Sequence, residues 1–116
     1  MKDNPLLKNA EQLALDIEAL CKTLERKDNS NAIFQIRKSS SSVFANINEA
    51  IYGNSKADFI SKLHISLKET GESIYWLTLL KRTNLIEYNF NGLLSLAEEI
   101  KRMLIASLNT AKENAK

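Results

Sequence analysis

Apolar residues recur three and four positions apart along most of this chain, in four stretches of roughly 20 residues each. That spacing collects them on one side of a helix and does not suit a strand, whose faces alternate at every second residue. The first stripe is Leu6, Ala10, Leu13, Ala14, Ile17, Leu20, Cys21 and Leu24, and the second is Ile33, Ile36, Ser40, Val43, Ile47 and Ile51. Phe59, Leu63, Leu67, Thr70, Ile74 and Leu77 make the third. Leu93, Leu94, Ala97, Ile100, Leu104, Leu108 and Ala111 make the fourth.

Punctuation sets the boundaries. Pro5 suits a first helical turn with Asn4 as its cap, so the first helix is expected over residues 5–27. The polar cluster from Lys27 to Asn31 ends it, and Ser30 or Asn31 can cap a second helix over residues 32–52. Gly53 is expected to close that helix in a left-handed conformation. Ser55 caps the third, with Asp58 at the positive end of its dipole, and that helix extends to about residue 82. Asn89 caps the fourth, over residues 90–112. Only three Gly and one Pro are present, too few to furnish many β-turns. Four amphipathic segments with short links predict an all-α, antiparallel up-and-down four-helix bundle, one domain spanning residues 1–116.

The balance of 44% hydrophobic and 26% charged residues is that of an ordinary globular domain and argues against disorder. The segment from Met1 to Pro5 lacks the apolar core of a signal peptide, and no apolar run is long enough for a membrane span. A cytoplasmic location without membrane contact is therefore expected. The lone cysteine, Cys21, excludes a disulfide framework and lies between Leu20 and Leu24, where it reads as a buried small hydrophobe.

Catalytic constellations are wanting. His64 is the only histidine, and its position flanking the third stripe reads as a boundary residue bonded to a carbonyl or to water sooner than as a general base. Glu69, Glu72, Glu98 and Glu99 read as a solvated face, or as partners for Lys68, Lys101 and Arg102. The metal-binding Glu-x-x-His pattern of di-iron bundles is missing. Gly71 sits inside the third helix and reads as a relief of crowding, since no phosphate-cradling loop surrounds it. No enzyme activity and no cofactor or metal are expected.

Two features do not suit an isolated bundle. The run from Ser39 to Ser42 places poor helix formers in mid-helix, which is sensible where backbones approach closely or hydroxyls find partners. On the same helix Phe34, Ser41, Ala45, Asn48 and Tyr52 form a second column off the core stripe. Ile65, Trp76 and Leu79 likewise stand away from the third stripe, with Leu96 and Met103 repeating the pattern on the fourth helix. Extra apolar strips suggest subunit contact. The plainer alternative is a Trp76 folded over a bundle edge among scattered surface apolars. Arg37, Lys38, Lys56 and Lys62 lie around the junction of the second and third helices. In a monomer they are solvated charges, whereas in an assembly they form a repeated basic rim for nucleic acid.

The stretch Gln35-Ile36-Arg37-Lys38, then Ser42-Val43-Phe44-Ala45-Asn46-Ile47-Asn48-Glu49-Ala50, then Ser55-Lys56-Ala57-Asp58-Phe59-Ile60 resembles the central signature of the four helix bundle proteins. These are also called 23S rRNA-intervening-sequence proteins. Leu67-Lys68-Glu69-Thr70 and Tyr75-Trp76-Leu77 are similar further along. The resemblance implies a ring of identical bundles, generally a pentamer, and no enzyme activity. It implies RNA or a nucleic-acid-processing protein as further partners, since members are often encoded within ribosomal RNA insertions and a related branch resembles retroelement accessory proteins. The chain departs from the family pattern at Phe44, where Pro is usual, at Asn48, where Ala is usual, and at Ala50, where Gly is usual. Without that proline the second helix is expected to run unkinked.

Overall fold

The computed structural model describes residues 4–25, 29–84 and 86–114. These form four helices: α1 (Pro5–Leu24), α2 (Ser30–Ile51), α3 (Lys56–Thr83) and α4 (Asn91–Asn114). Each packs on its neighbours in sequence and α4 returns to α1, which closes a four-sided bundle with extents of 49 × 24 × 20 Å. The direction alternates. Ser39 on α2 bonds Ser73 on α3 while Val43 bonds Ser66, so the index rises along one helix as it falls along the other.

The caps follow from side-chain chemistry. Asn4 Oδ1 accepts from the Leu7 amide at 3.0 Å and Ser55 Oγ from the Asp58 amide at 3.0 Å, as expected of residues that satisfy first-turn donors. Asn89 Oδ1 accepts from the Asn91 amide at 3.1 Å. The start of α2 differs from expectation: Asn29, not Ser30 or Asn31, takes the cap position, its carbonyl accepting from Ile33. The Asn29 side chain makes no capping bond, and its amide oxygen and nitrogen are both buried without a partner. The expected end of α1 at Lys27 lies outside the described residues, and its last helical residue is Leu24.

Gly53 also serves differently from expectation. Among the described residues no glycine has a positive φ, and the left-handed position is taken by Asn84, φ 55°, which closes α3. Asn tolerates that region because its short side chain can bond locally. Gly53 is instead required by crowding, since a Cβ there would stand 3.0 Å from the Glu49 carbonyl oxygen and 2.7 Å from Asp58 Oδ2. The chain must turn sharply between α2 and α3, and only a bare Cα passes.

The four predicted stripes meet inside. Leu13, Ile17, Leu20, Leu24, Ile36, Ile47, Leu63, Leu77, Ile100 and Leu104 are fully enclosed. Cys21 is buried as expected, and desolvation pushes its thiol pKa up to about 11 despite the opposing pull of nearby Arg37. Helix α2 runs unbroken through Phe44, which packs half-buried against the core. Trp76, Leu96 and Met103, expected on the outer surface, are instead partly buried against that core. Long side chains at a stripe's margin fold over the edge of the neighbouring helix rather than project into water. Met103 takes its place against α1, its Sδ accepting from Asn9 Nδ2 at 3.4 Å.

Candidate association surfaces

The closest helix pair explains the serines. Between α2 and α3, Ser39, Ser40, Ser66, Thr70 and Ser73 are all buried, and their small side chains let the backbones approach. Each hydroxyl has an acceptor. Ser66 Oγ donates to the Val43 carbonyl of α2 at 2.9 Å and Ser73 Oγ to Ser39 Oγ at 2.9 Å. Ser39 and Ser40 donate back to the carbonyls of Ile36 and Arg37, and Thr70 to that of Ser66. Buried hydroxyls so satisfied carry no desolvation penalty to speak of.

With that seam turned inward, the other sides of α2 and α3 face out. Phe34 and Tyr52 are 61% and 59% exposed, and Ser41 and Ala45 between them are exposed as well. On α3, Ile65 and Leu79 are 39% and 40% exposed. Trp76 does not join them on the open surface: it is half-buried, stands edge-on to Tyr75 with centroids 5.1 Å apart, and its indole Nε1 is buried without a partner. Tyr75 itself, not among the expected residues, is 57% exposed. Its signal was its spacing, four residues before Leu79 and ten after Ile65. Leu15 on α1 and Ile105 on α4 are also exposed, each on a separate helix.

The four expected basic residues do not converge. Arg37 faces α1, where its guanidinium pairs with Glu18 at 2.8 Å and Glu25 at 3.1 Å. Those bonds, Glu18 foremost, raise its pKa further. The spacing of cations along α2 carried no hint of the two carboxylates that α1 supplies. Lys38 is exposed beside a small polar cleft with Gln35, Lys68, Glu69 and Glu72. Lys56 begins α3 at the other end of the bundle. It is roughly 25 Å along the axis from the level of Ser73 at 1.5 Å per residue, on the lip of an open groove with Phe59 and Thr110. Lys62 is half-buried.

Nothing assembles around His64, which is exposed on α3 rather than tucked at the core margin, because Leu63 and Leu67 already occupy the inward positions. Among the described residues no group of three or more His, Cys, Asp or Glu could hold a metal ion, and no helix is long and apolar enough to cross a membrane. Glu99 pairs with Arg102 as expected. Gly71 relieves no crowding, since a Cβ there would meet nothing within 4 Å.

Comparison with known proteins agrees with this architecture. A solved structure of a protein of unknown function from the S23 ribosomal protein family of Bacteroides thetaiotaomicron is similar to the chain at 39% identity, with a TM-score of 0.85. The match covers 94% of this chain and 99% of that one. Among curated proteins no significant match was found. The family model described as 23S rRNA-intervening sequence protein matches residues 2–106. That span takes in α1, α2, α3, the buried serine seam and most of α4, and on it the chain belongs to the 23S rRNA-intervening sequence protein family.

Proposed function

We propose that this protein is a non-enzymatic module that works by self-association, its copies joined through the outer faces of α2 and α3. One observation supports this above the others. Phe34, Tyr52, Ile65, Tyr75 and Leu79 keep large apolar areas in water although the core is already filled. Apolar surface gathered on two adjacent helices stabilises an assembly by about 25 cal/mol for each Å² it removes from water. The resemblance adds a ring, generally a pentamer, as the form of that assembly. RNA is the second partner in this reading, met through Lys38, Lys56 and Lys62 repeated around the ring. Arg37 contributes less, being engaged by Glu18 and Glu25.

Light scattering coupled to size exclusion tests the first part. The expected result is a discrete oligomer at micromolar concentration, weakened by Phe34→Ser with Tyr52→Ser while the helical circular dichroism is retained. A stable monomer would overturn the proposal, and co-purification with a different polypeptide in place of self-assembly would replace it with a hetero-partner module. RNA titration at two salt concentrations tests the second part. Binding should weaken steeply with salt and on Lys38→Ala with Lys56→Ala; no binding at low salt removes RNA from the account.

A further inference from the structure

The hydroxyl bonds between α2 and α3 set which residues stand level along the bundle, and exposed residues of the two helices match on that measure. Phe34 is five residues before Ser39, and Leu79 is six beyond Ser73, to which Ser39 is bonded, so the two are level to within about 1.5 Å. Ala45 is two residues past Val43, and Ile65 is one before Ser66, a second bonded pair, so these too are level to within about 1.5 Å. All four side chains are exposed. Within one bundle they open onto different sides. Phe34 and Ser41 line a groove between α1 and α2 with Glu18 and Glu25. Ile65 and Leu79 lie one turn before Glu69 and two turns beyond Glu72, the residues that α3 presents to the cleft beside α2.

We infer that these two sides meet between copies, the α1–α2 side of one bundle seating head to tail on the α2–α3 side of the next. This deepens the self-association reading and rests on it. The occupant is a second copy because the register and the area both suit one. Copies turned about an axis parallel to the helices keep one height and one direction, so residues level within a bundle are level between neighbours. Leu79 then comes against Phe34. Ile65 enters the low stretch of Ser41 and Ala45 between the two aromatic ends, with exposed Leu15, one turn before Glu18 on α1, at its margin. Like sides fit worse, since two antiparallel α2 columns set Phe34 on Tyr52 at both ends and hold their small residues apart. No charge is lost in the contact, because the column carries none and Lys68 and Glu72 stay with Lys38 in the polar cleft of their own bundle. The column is about 27 Å long on a side 20 Å across, which gives roughly 1,100 Å² counted over both copies, enough for a specific contact. Adjacent sides of a four-sided bundle stand at about 90°, so the repeated contact curves back on itself. It closes on four copies at that angle and on five as the angle opens toward about 108°.

Spoiling one side at a time tests which sides meet, using the whole chain and light scattering. Ala45→Glu spoils only the α1–α2 side and Ile65→Glu only the α2–α3 side, both at exposed positions. Every contact needs one side of each kind, so each variant alone should run as a monomer, its association weakened at least tenfold. An equimolar mixture should form a one-to-one pair of twice the monomer mass and grow no further. In that pair the sound α2–α3 side of the first variant holds the sound α1–α2 side of the second, and both remaining sides are spoiled. Phe34→Glu mixed with Leu79→Glu repeats the test at the other contact, and circular dichroism keeps a folding defect separate. Single variants that still associate, or mixtures that stay monomeric, overturn the head-to-tail contact and leave self-association in another arrangement standing. A monomeric wild type overturns both.

Discussion

Cys21 shows how a single residue records the fold. Its thiol is enclosed by Leu20, Leu24 and their neighbours, and desolvation pushes its pKa from 9.0 to about 11. The folded chain therefore holds a proton that the unfolded chain releases near pH 9, so this contribution to stability is whole below that pH. It is lost as pH rises toward 11, by about 2–3 kcal/mol at most. Urea titrations on either side of this window should show the decline in the wild type and a flatter profile in Cys21→Ala. Two glycines make an opposed pair at the same scale. Gly53→Ala should destabilise by about 1 kcal/mol, because Asp58 can swing aside but the Glu49 carbonyl cannot. Gly71→Ala should stabilise by roughly 0.5–1 kcal/mol, since nothing crowds it, when denaturation is followed at concentrations low enough to keep the chain dissociated. From sequence Gly53 reads as a left-handed closure and Gly71 as the relief of crowding, whereas the crowding is at Gly53. What separates them is the turn that presses α2 against the start of α3, which composition does not reveal.

At the scale of elements, the stripes and the caps Asn4 and Ser55 were legible because each depends on neighbours within one or two turns, whereas the serine run pointed to close backbone approach without naming α3 as the partner. Ser55→Ala should cost about 1 kcal/mol of stability, read from a thermal or urea melt, by stranding the Asp58 amide at the start of α3. Ser66→Ala should cost about the same by removing the hydroxyl that binds the Val43 carbonyl, with no loss of helix content. Illegible were the features set by another helix. Arg37 has the spacing of a surface cation on α2 and becomes an anchor to α1 only because Glu18 and Glu25 stand opposite. Trp76 sits at an outer phase of α3, yet its ring spans the edge of the helix and reaches the core. Tyr75, adjacent to it in sequence, was overlooked for that reason and remains the more exposed of the two. The Phe34–Tyr52 column spans five turns from α2 to its C-cap, and its two aromatic ends are exposed.

For the molecule as a whole, charge is spread rather than gathered. A net charge of +2, with Lys56 and Lys38 toward opposite ends of the bundle, offers a single copy few simultaneous phosphate contacts. If RNA is the partner proposed above, its affinity should consequently depend on assembly: Phe34→Ser with Tyr52→Ser should lower both the affinity and the slope of log K against log salt, as titrations at several ionic strengths would show. The hydroxyl seam between α2 and α3 bears on this more than any surface residue does. Sliding α3 by one helical turn would part Ser66 from Val43 and Ser73 from Ser39 together, so the two helices behave as a ruled pair with one permitted alignment. The outer column of α2 and the exposed Ile65, Tyr75 and Leu79 of α3 are thereby graduations on a single scale. A substitution at Ser39 or Ser73, touching no neighbour outside its own bundle, should therefore shift one face against the other and, in the self-association proposed above, change the mass that light scattering reads.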